Sequence, residues 1–175
     1  DANERHHGVV IAIAFEAVVK LVALLAVGIF VVWGLAGGVT ETMARIDASE
    51  IAKWEVTGSR WIGLTMLSAA AFICLPRMFQ VMVVESGDEG HLRMASWAFP
   101  TYLMLMSLFV VPIAVVGLDI MPKGSNADLF VLTLPLSQDQ DGLAILSFLG
   151  GFSSATSMVI VASIALSTMV SNHVV

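Results

Sequence analysis

The sequence predicts an all-α integral membrane protein with four transmembrane helices. Hydrophobic residues make up 58% of the chain, charged residues only 13%, and the mean hydropathy is +0.90. A soluble domain of 175 residues has too little core to hide that much apolar surface. Four segments also approach or exceed the roughly 20 apolar residues needed to cross a hydrocarbon core about 30 Å thick. They are Gly8–Ala36, Trp61–Val84, Met94–Leu118 and Gly142–Asn172, and the last carries no charged residue at all.

The first segment holds Glu16 and Lys20 four residues apart. That spacing puts them on one helix face with the acid N-terminal to the base, the better order for an ion pair. Ionisable groups at membrane depth usually face the bundle interior or a watery cavity. Two readings follow: an intrahelical pair near the interface with Lys20 reaching toward head groups, or a role in a proton or substrate path. The second segment contains Pro76 within Ala70–Gln80, followed by Arg77. Proline removes a helical hydrogen bond and clashes with the preceding turn, so a kink or break is expected there. Broken helices are a recurring device of transporters, although a simple kink is equally compatible. In the third segment Pro100 lies near the start, where proline is tolerated, and Pro112 is expected to bend the second half. Trp97 and Tyr102 suit an interface anchor, as amphipathic rings do. The many methionines of this segment read as flexible packing rather than a metal site, since no thiolate or imidazole accompanies them.

Three polar connections join these segments. Gly37–Arg60 has mixed charges and room for a short interfacial helix. Glu85–Arg93 reads as a tight acidic turn with Gly87 and Gly90 as breakers. In Asp119–Asp141, Pro122, Gly124 and Pro135 flank the apolar run of Asn126–Leu136, which is too short to span and suits an interfacial or re-entrant position. Cationic residues are divided between the two sides. Arg5, Arg77 and Arg93 fall on one, and Arg45, Lys53, Arg60 and Lys123 on the other. The count mildly favours the second side as cytoplasmic.

The whole chain reads as part of a single membrane domain. It begins with Asp1 rather than an initiator methionine, and Val175 follows closely on the fourth segment, so a piece of a longer protein is expected. No basic region with a small-residue cleavage site precedes the first apolar run, so no signal peptide is expected. Cys74 is alone, which excludes an internal disulfide. A net charge of −6 offers no basic face for nucleic acid.

The fourth segment carries the most specific chemistry. Gly150 and Gly151 are followed by Ser153, Ser154, Thr156 and Ser157. Hydroxyls in hydrocarbon need partners, because no water is there to replace them. Small residues and serines mark tight helix–helix interfaces. Equally, two adjacent hydroxyls with a freed carbonyl supply part of the oxygen shell of a sodium ion. Catalysis is not expected. The run Gly151–Ser154 resembles the GxSG motif of rhomboid-type intramembrane proteases but has Ser154 in place of the glycine. A serine nucleophile also needs a base within hydrogen-bond reach, and His173 lies about 30 Å from Ser153 by the helical rise.

The ordered stretches Leu75–Glu85, Asp128–Leu136 and Phe148–Asn172, with His6–Ala23 at the start, resemble the sodium/solute symporter family. The likeness is closest to the symporter-like membrane module of bacterial sensor histidine kinases, and it covers nearly the whole chain. It implies a leucine-transporter-type fold of two inverted five-helix repeats, with the four segments as core helices five to eight. It implies a sodium site formed in part by the Gly150 carbonyl and the Ser153 and Ser154 hydroxyls, the other ligands coming from a first core helix that this chain lacks. Pro76 matches a proline of the sixth core helix, while Arg77 departs from a common histidine. The implied setting is the bacterial inner membrane. The implied partners are a small-molecule solute, the lipid bilayer, the remaining helices of the parent and, in the kinase-linked form, a kinase domain with its response regulator in two-component signalling. No organic cofactor is implied. The alternatives are a sodium-coupled permease proper and a purely structural or signal-transmitting membrane module.

Overall fold

A computed structural model describes residues 7–53, 58–76 and 89–174, all of them in helices or short connections, with no strand among the described residues. Helix α1 (His7–Ile29) runs into a π-helical turn, Phe30–Leu35. Then come α2 (Val39–Ala48), α3 (Gly58–Cys74), α4 (Glu89–Leu108) and α5 (Val110–Ile120). A 3-10 turn at Ala127–Leu129 leads into α6 (Phe130–Ser137), and α7 (Asp141–Val174) closes the chain.

Among the described residues, three helical stretches are long and apolar enough to cross a membrane: Val10–Leu35, Arg93–Ile120 and Asp141–Ser171. Most of their surface is apolar and faces outward, with Phe15 71% exposed, as lipid-facing helices require. The second expected span, Trp61–Val84, is represented by α3 only as far as Cys74. Its 17 residues rise about 25 Å, short of the roughly 30 Å core, and positions 77–84 lie outside the described residues. Pro76 follows the end of α3, and the Leu75 N–H bonds the Ala71 carbonyl at 3.1 Å.

The third span differs from the expected bent helix: it is two helices with a junction at Phe109 (φ −101°, ψ 0°). Proline explains the position. Pro112 has no N–H to give the Leu108 carbonyl, and its ring crowds that carbonyl. A new helix starting at Val110 puts Pro112 in a first turn, where no N–H is needed. Upstream, α4 begins at Glu89, so Glu89–Arg93 is helical where a turn is expected. In Gly37–Arg60 a short helix does form. Its start is set by Gly37 (φ +88°) and Gly38 (φ +128°), and Thr42 Oγ1 donates to the Gly38 carbonyl at 2.7 Å.

The core sits at one end of the bundle. Val27 and Val31 from the first span, Ala36, Ile113 and Val116 of α5, and Phe130 and Leu134 of α6 form one buried cluster. The stretch Asn126–Leu136, expected at the interface or re-entrant, thus supplies the centre of the packing. Gly117 makes the room: a Cβ there would overlap the Phe130 ring, and one at Gly28 would overlap Phe109. Outside the apolar zone, Arg45 of α2 pairs with Asp119 of α5 at 3.6 Å. Both side chains are partly exposed, so this contact adds little energy.

The burial pattern separates two phenylalanines by effect. Phe130→Ala, at a residue only 2% exposed, lowers unfolding stability in detergent by about 3–5 kcal/mol. Phe15→Ala stays within about 0.5 kcal/mol. Thermal unfolding followed by circular dichroism checks both.

Candidate functional site

Helix α7 runs unbroken through Gly150–Ser154, so the glycine pair does not loosen the helix. Gly150 instead serves as a contact surface. A Cβ built on it would stand 2.7 Å from Ala23 Cβ and 3.8 Å from Lys20 Cα, whereas one on Gly151 would meet nothing within 4 Å. α1 and α7 therefore approach closely along the face that carries Gly150, and this is the most extensive helix–helix contact among the described residues. The helices are antiparallel, as Leu143 packs beside the Val27–Val31 end and Ser157 beside Lys20.

The hydroxyls divide by face. Ser157, one turn beyond Ser153, is buried at 6% exposure, and its Oγ donates to the Ser154 carbonyl at 3.2 Å. Thr156 Oγ1 donates back to the Phe152 carbonyl at 2.9 Å, the usual local solution for a helical threonine. Ser153 is half-buried and Ser154 exposed. Neither of their hydroxyls makes a hydrogen bond among the described residues. Ser153 and the Gly150 contact belong to the α1 side of the helix, while Ser154 is turned away by about 100°. The three predicted sodium-site residues are thus close in sequence, but no second described helix covers Ser154.

The cation at the seam is Lys20. Its Nζ donates to Ser157 Oγ at 3.1 Å across the two helices, and no ion pair joins it to Glu16. Helical side chains lean toward the N-terminus of their own helix. In an antiparallel pair that direction carries Lys20 up α7 from Gly150 to Ser157. Glu16 Oε2 is left buried with no hydrogen-bond partner. The expected Glu16–Lys20 pair is therefore replaced by an interhelical contact. Sequence inspection places Ser157 on the Ser153 face but cannot name Lys20 as its partner, because the antiparallel offset of two distant helices decides it.

Two further bonds tie neighbours to this seam. Tyr102 OH of α4 donates to the Ala17 carbonyl at 3.2 Å, so Tyr102 clasps helices rather than anchoring an interface. Trp97, 78% exposed, keeps the outward position expected of an anchor. Ser147 Oγ donates to the Val131 carbonyl of α6 at 2.9 Å. Cys74 is exposed and unpaired, and no group of three or more His, Cys, Asp or Glu side chains among the described residues converges on a metal position.

No protein-family model, no curated protein and no solved structure matches the chain.

The two glycines are predicted to respond with opposite signs to the same change. Gly151→Ala stabilises the helix by about 0.5–1 kcal/mol. Gly150→Ala destabilises, because overpacking at about 1–3 kcal/mol exceeds that gain. Chemical unfolding in mixed micelles checks the signs, and equal responses would contradict the close approach.

Proposed function

We propose that this chain is the membrane-embedded transport or solute-sensing module of a sodium:solute symporter-like protein of the bacterial inner membrane, acting as the input domain of a sensor histidine kinase. The observation that carries the reading is the pair of adjacent hydroxyls, Ser153 and Ser154, which make no hydrogen bond among the described residues and lie in the charge-free stretch Gly142–Asn172. Groups of that kind are costly in hydrocarbon unless something takes them up. A sodium ion held by those hydroxyls and the Gly150 carbonyl, completed by oxygens from helices outside this chain, is the proposed occupant. The stretches Leu75–Glu85, Asp128–Leu136 and Phe148–Asn172 support the reading by their resemblance to the symporter family, and with it the leucine-transporter-type arrangement. Irregular helices add support: the π-helical turn at Phe30–Leu35 and the junction at Phe109 are the kind of breaks that transporters use near their sites.

On this proposal the module binds sodium and a small-molecule solute in one conformation. Each ligand then strengthens the other, as linkage requires. In the kinase form, the favoured conformation is passed to a catalytic domain and its response regulator.

A second reading is favoured by one observation, the fit of Gly150 against Ala23. There the small residues only pack helices, and the chain is a structural or signal-transmitting module.

Sodium decides between the two. In the intact protein in lipid nanodiscs, sodium chloride in place of potassium chloride is predicted to raise the unfolding temperature. At ten times the sodium Kd the stabilisation is about 1.4 kcal/mol, and Ser153→Ala with Ser154→Ala abolishes it. An unchanged sodium response in the double variant removes the site and leaves the packing module.

A further inference from the structure

Helix α2 is held near both ends to the margins of two spanning stretches. It starts four residues after Leu35, where the stretch Val10–Leu35 ends, and its Arg45 pairs at 3.6 Å with Asp119, next to the end of Arg93–Ile120. Those two margins lie side by side, because Val31 and Ala36 share one buried cluster with Ile113 and Val116. A helix running outward from Leu35 along the span axis would carry Arg45 about 9 Å beyond Val39, and one folding back into the bilayer would carry it as far inward. The Asp119 contact fits neither course. Nor does the burial of Thr42, 2% exposed, on a helix that packs against α5 and the π-helical turn. The α2 axis therefore lies across the end of the bundle, close to the membrane plane.

Around that axis the side chains sort into three directions, each residue turning about 100° from the last. Thr42 and the half-buried Ile46 face the bundle. Val39 and Met43 are both exposed and share one flank. Glu41, Arg45 and Ala48 occupy the other, about 140–160° from Met43. Arg45 meets Asp119 at the outermost turn of α5, so its flank is the one turned to water, and the Val39–Met43 flank is turned toward the level of the spans. Trp33 and Leu118, at the same two margins, are exposed as well. We infer that α2 is an interfacial anchor whose partner is the lipid surface, with Val39 and Met43 set into the boundary between head groups and acyl chains. Helices of this kind sink their apolar side about 5–10 Å into that boundary. Asp47, one turn beyond Met43, bounds the strip and keeps the immersion shallow. Apolar contact holds the lipid, not head-group charge: Arg45 is paired with Asp119 and Lys53 with Glu50, while Glu41 and Asp47 leave the helix acidic. A protein partner fits less well, since two exposed apolar side chains fall far short of the roughly 800 Å² per partner that a stable interface buries.

The anchor stands apart from the sodium proposal, since it rests on other residues at the end of the bundle. Its test is spin-label accessibility in the intact protein in phosphatidylcholine nanodiscs. Cys74→Ser removes the chain's own thiol, and single labels are placed at Val39→Cys, Met43→Cys and Ala48→Cys. All three positions are exposed, so a label at each leaves the packing intact, and Val39 and Met43 report the same flank independently. Oxygen concentrates in hydrocarbon and a nickel chelate in water. The ratio of oxygen to nickel collision rates is expected to be severalfold higher at positions 39 and 43 than at 48. The same contrast is expected when phosphatidylglycerol replaces part of the phosphatidylcholine. Equal ratios at the three positions, or a higher one at 48, overturn the proposal. So does poor access of both reagents to positions 39 and 43, which would mean that another protein surface covers them. A contrast that appears only with phosphatidylglycerol overturns it too, since head-group charge would then be what holds the helix.

Discussion

The hydrogen bond from Lys20 to Ser157 is the contact on which the arrangement of the membrane helices turns. Inside hydrocarbon a polar group has no water to fall back on, so its partner has to come from protein. Lys20 finds that partner 137 residues away, and this fixes how far α7 is displaced along α1. Two similar contacts follow from the same demand: Tyr102 to the Ala17 carbonyl and Ser147 to the Val131 carbonyl. Such interhelical bonds average about 0.6 kcal/mol and reach about 1.7, so they are not the main source of cohesion. Their contribution is positional. They select one offset among several that the apolar surfaces alone would tolerate.

Cohesion comes instead from close packing, and glycine controls where it occurs. Gly150 lets α7 rest on Ala23, Gly28 accepts Phe109, and Gly117 accepts the Phe130 ring. Each removes a methyl that would hold two elements apart. Between helices in lipid there is little hydrophobic driving force, so van der Waals contact at such notches carries most of the attraction. The Phe109 notch also coincides with the junction that Pro112 imposes. A residue at a helix break therefore becomes a packing residue, and α5 is aimed so that Ile113 and Val116 face α6.

Much of this arrangement is legible in the amino-acid sequence. Apolar length locates α7 and the first and third spans, because hydrocarbon thickness translates directly into residue count. Pro112 announced an interruption in the third span, but not that the interruption would become a complete junction at Phe109. The sequence also marked Gly150 and Gly151 together. Only the neighbour's position distinguishes them, since one faces α1 and the other open space. For Glu16 and Lys20 the local rule of i, i+4 pairing was available, yet a partner from α7 overrode it. The burial of Phe130 and Leu134 was invisible for a related reason. Too short to span and bounded by turn residues, that stretch has no periodic signature separating an interfacial helix from one enclosed by three others. At the candidate sodium site the residues were legible and their orientation was not, because the difference between Ser153 and Ser154 appears only once α1 defines an inside.

The close seam between α1 and α7 is the central claim, and cysteine cross-linking in native membranes tests it most directly. With Ala23→Cys and Gly150→Cys in one chain, mild oxidation is predicted to produce an intramolecular disulfide, since the two positions are adjacent across the seam. Ala23→Cys combined with Gly151→Cys is predicted to remain reduced. Efficient cross-linking of the Gly151 pair, or none at the Gly150 pair, would contradict the account.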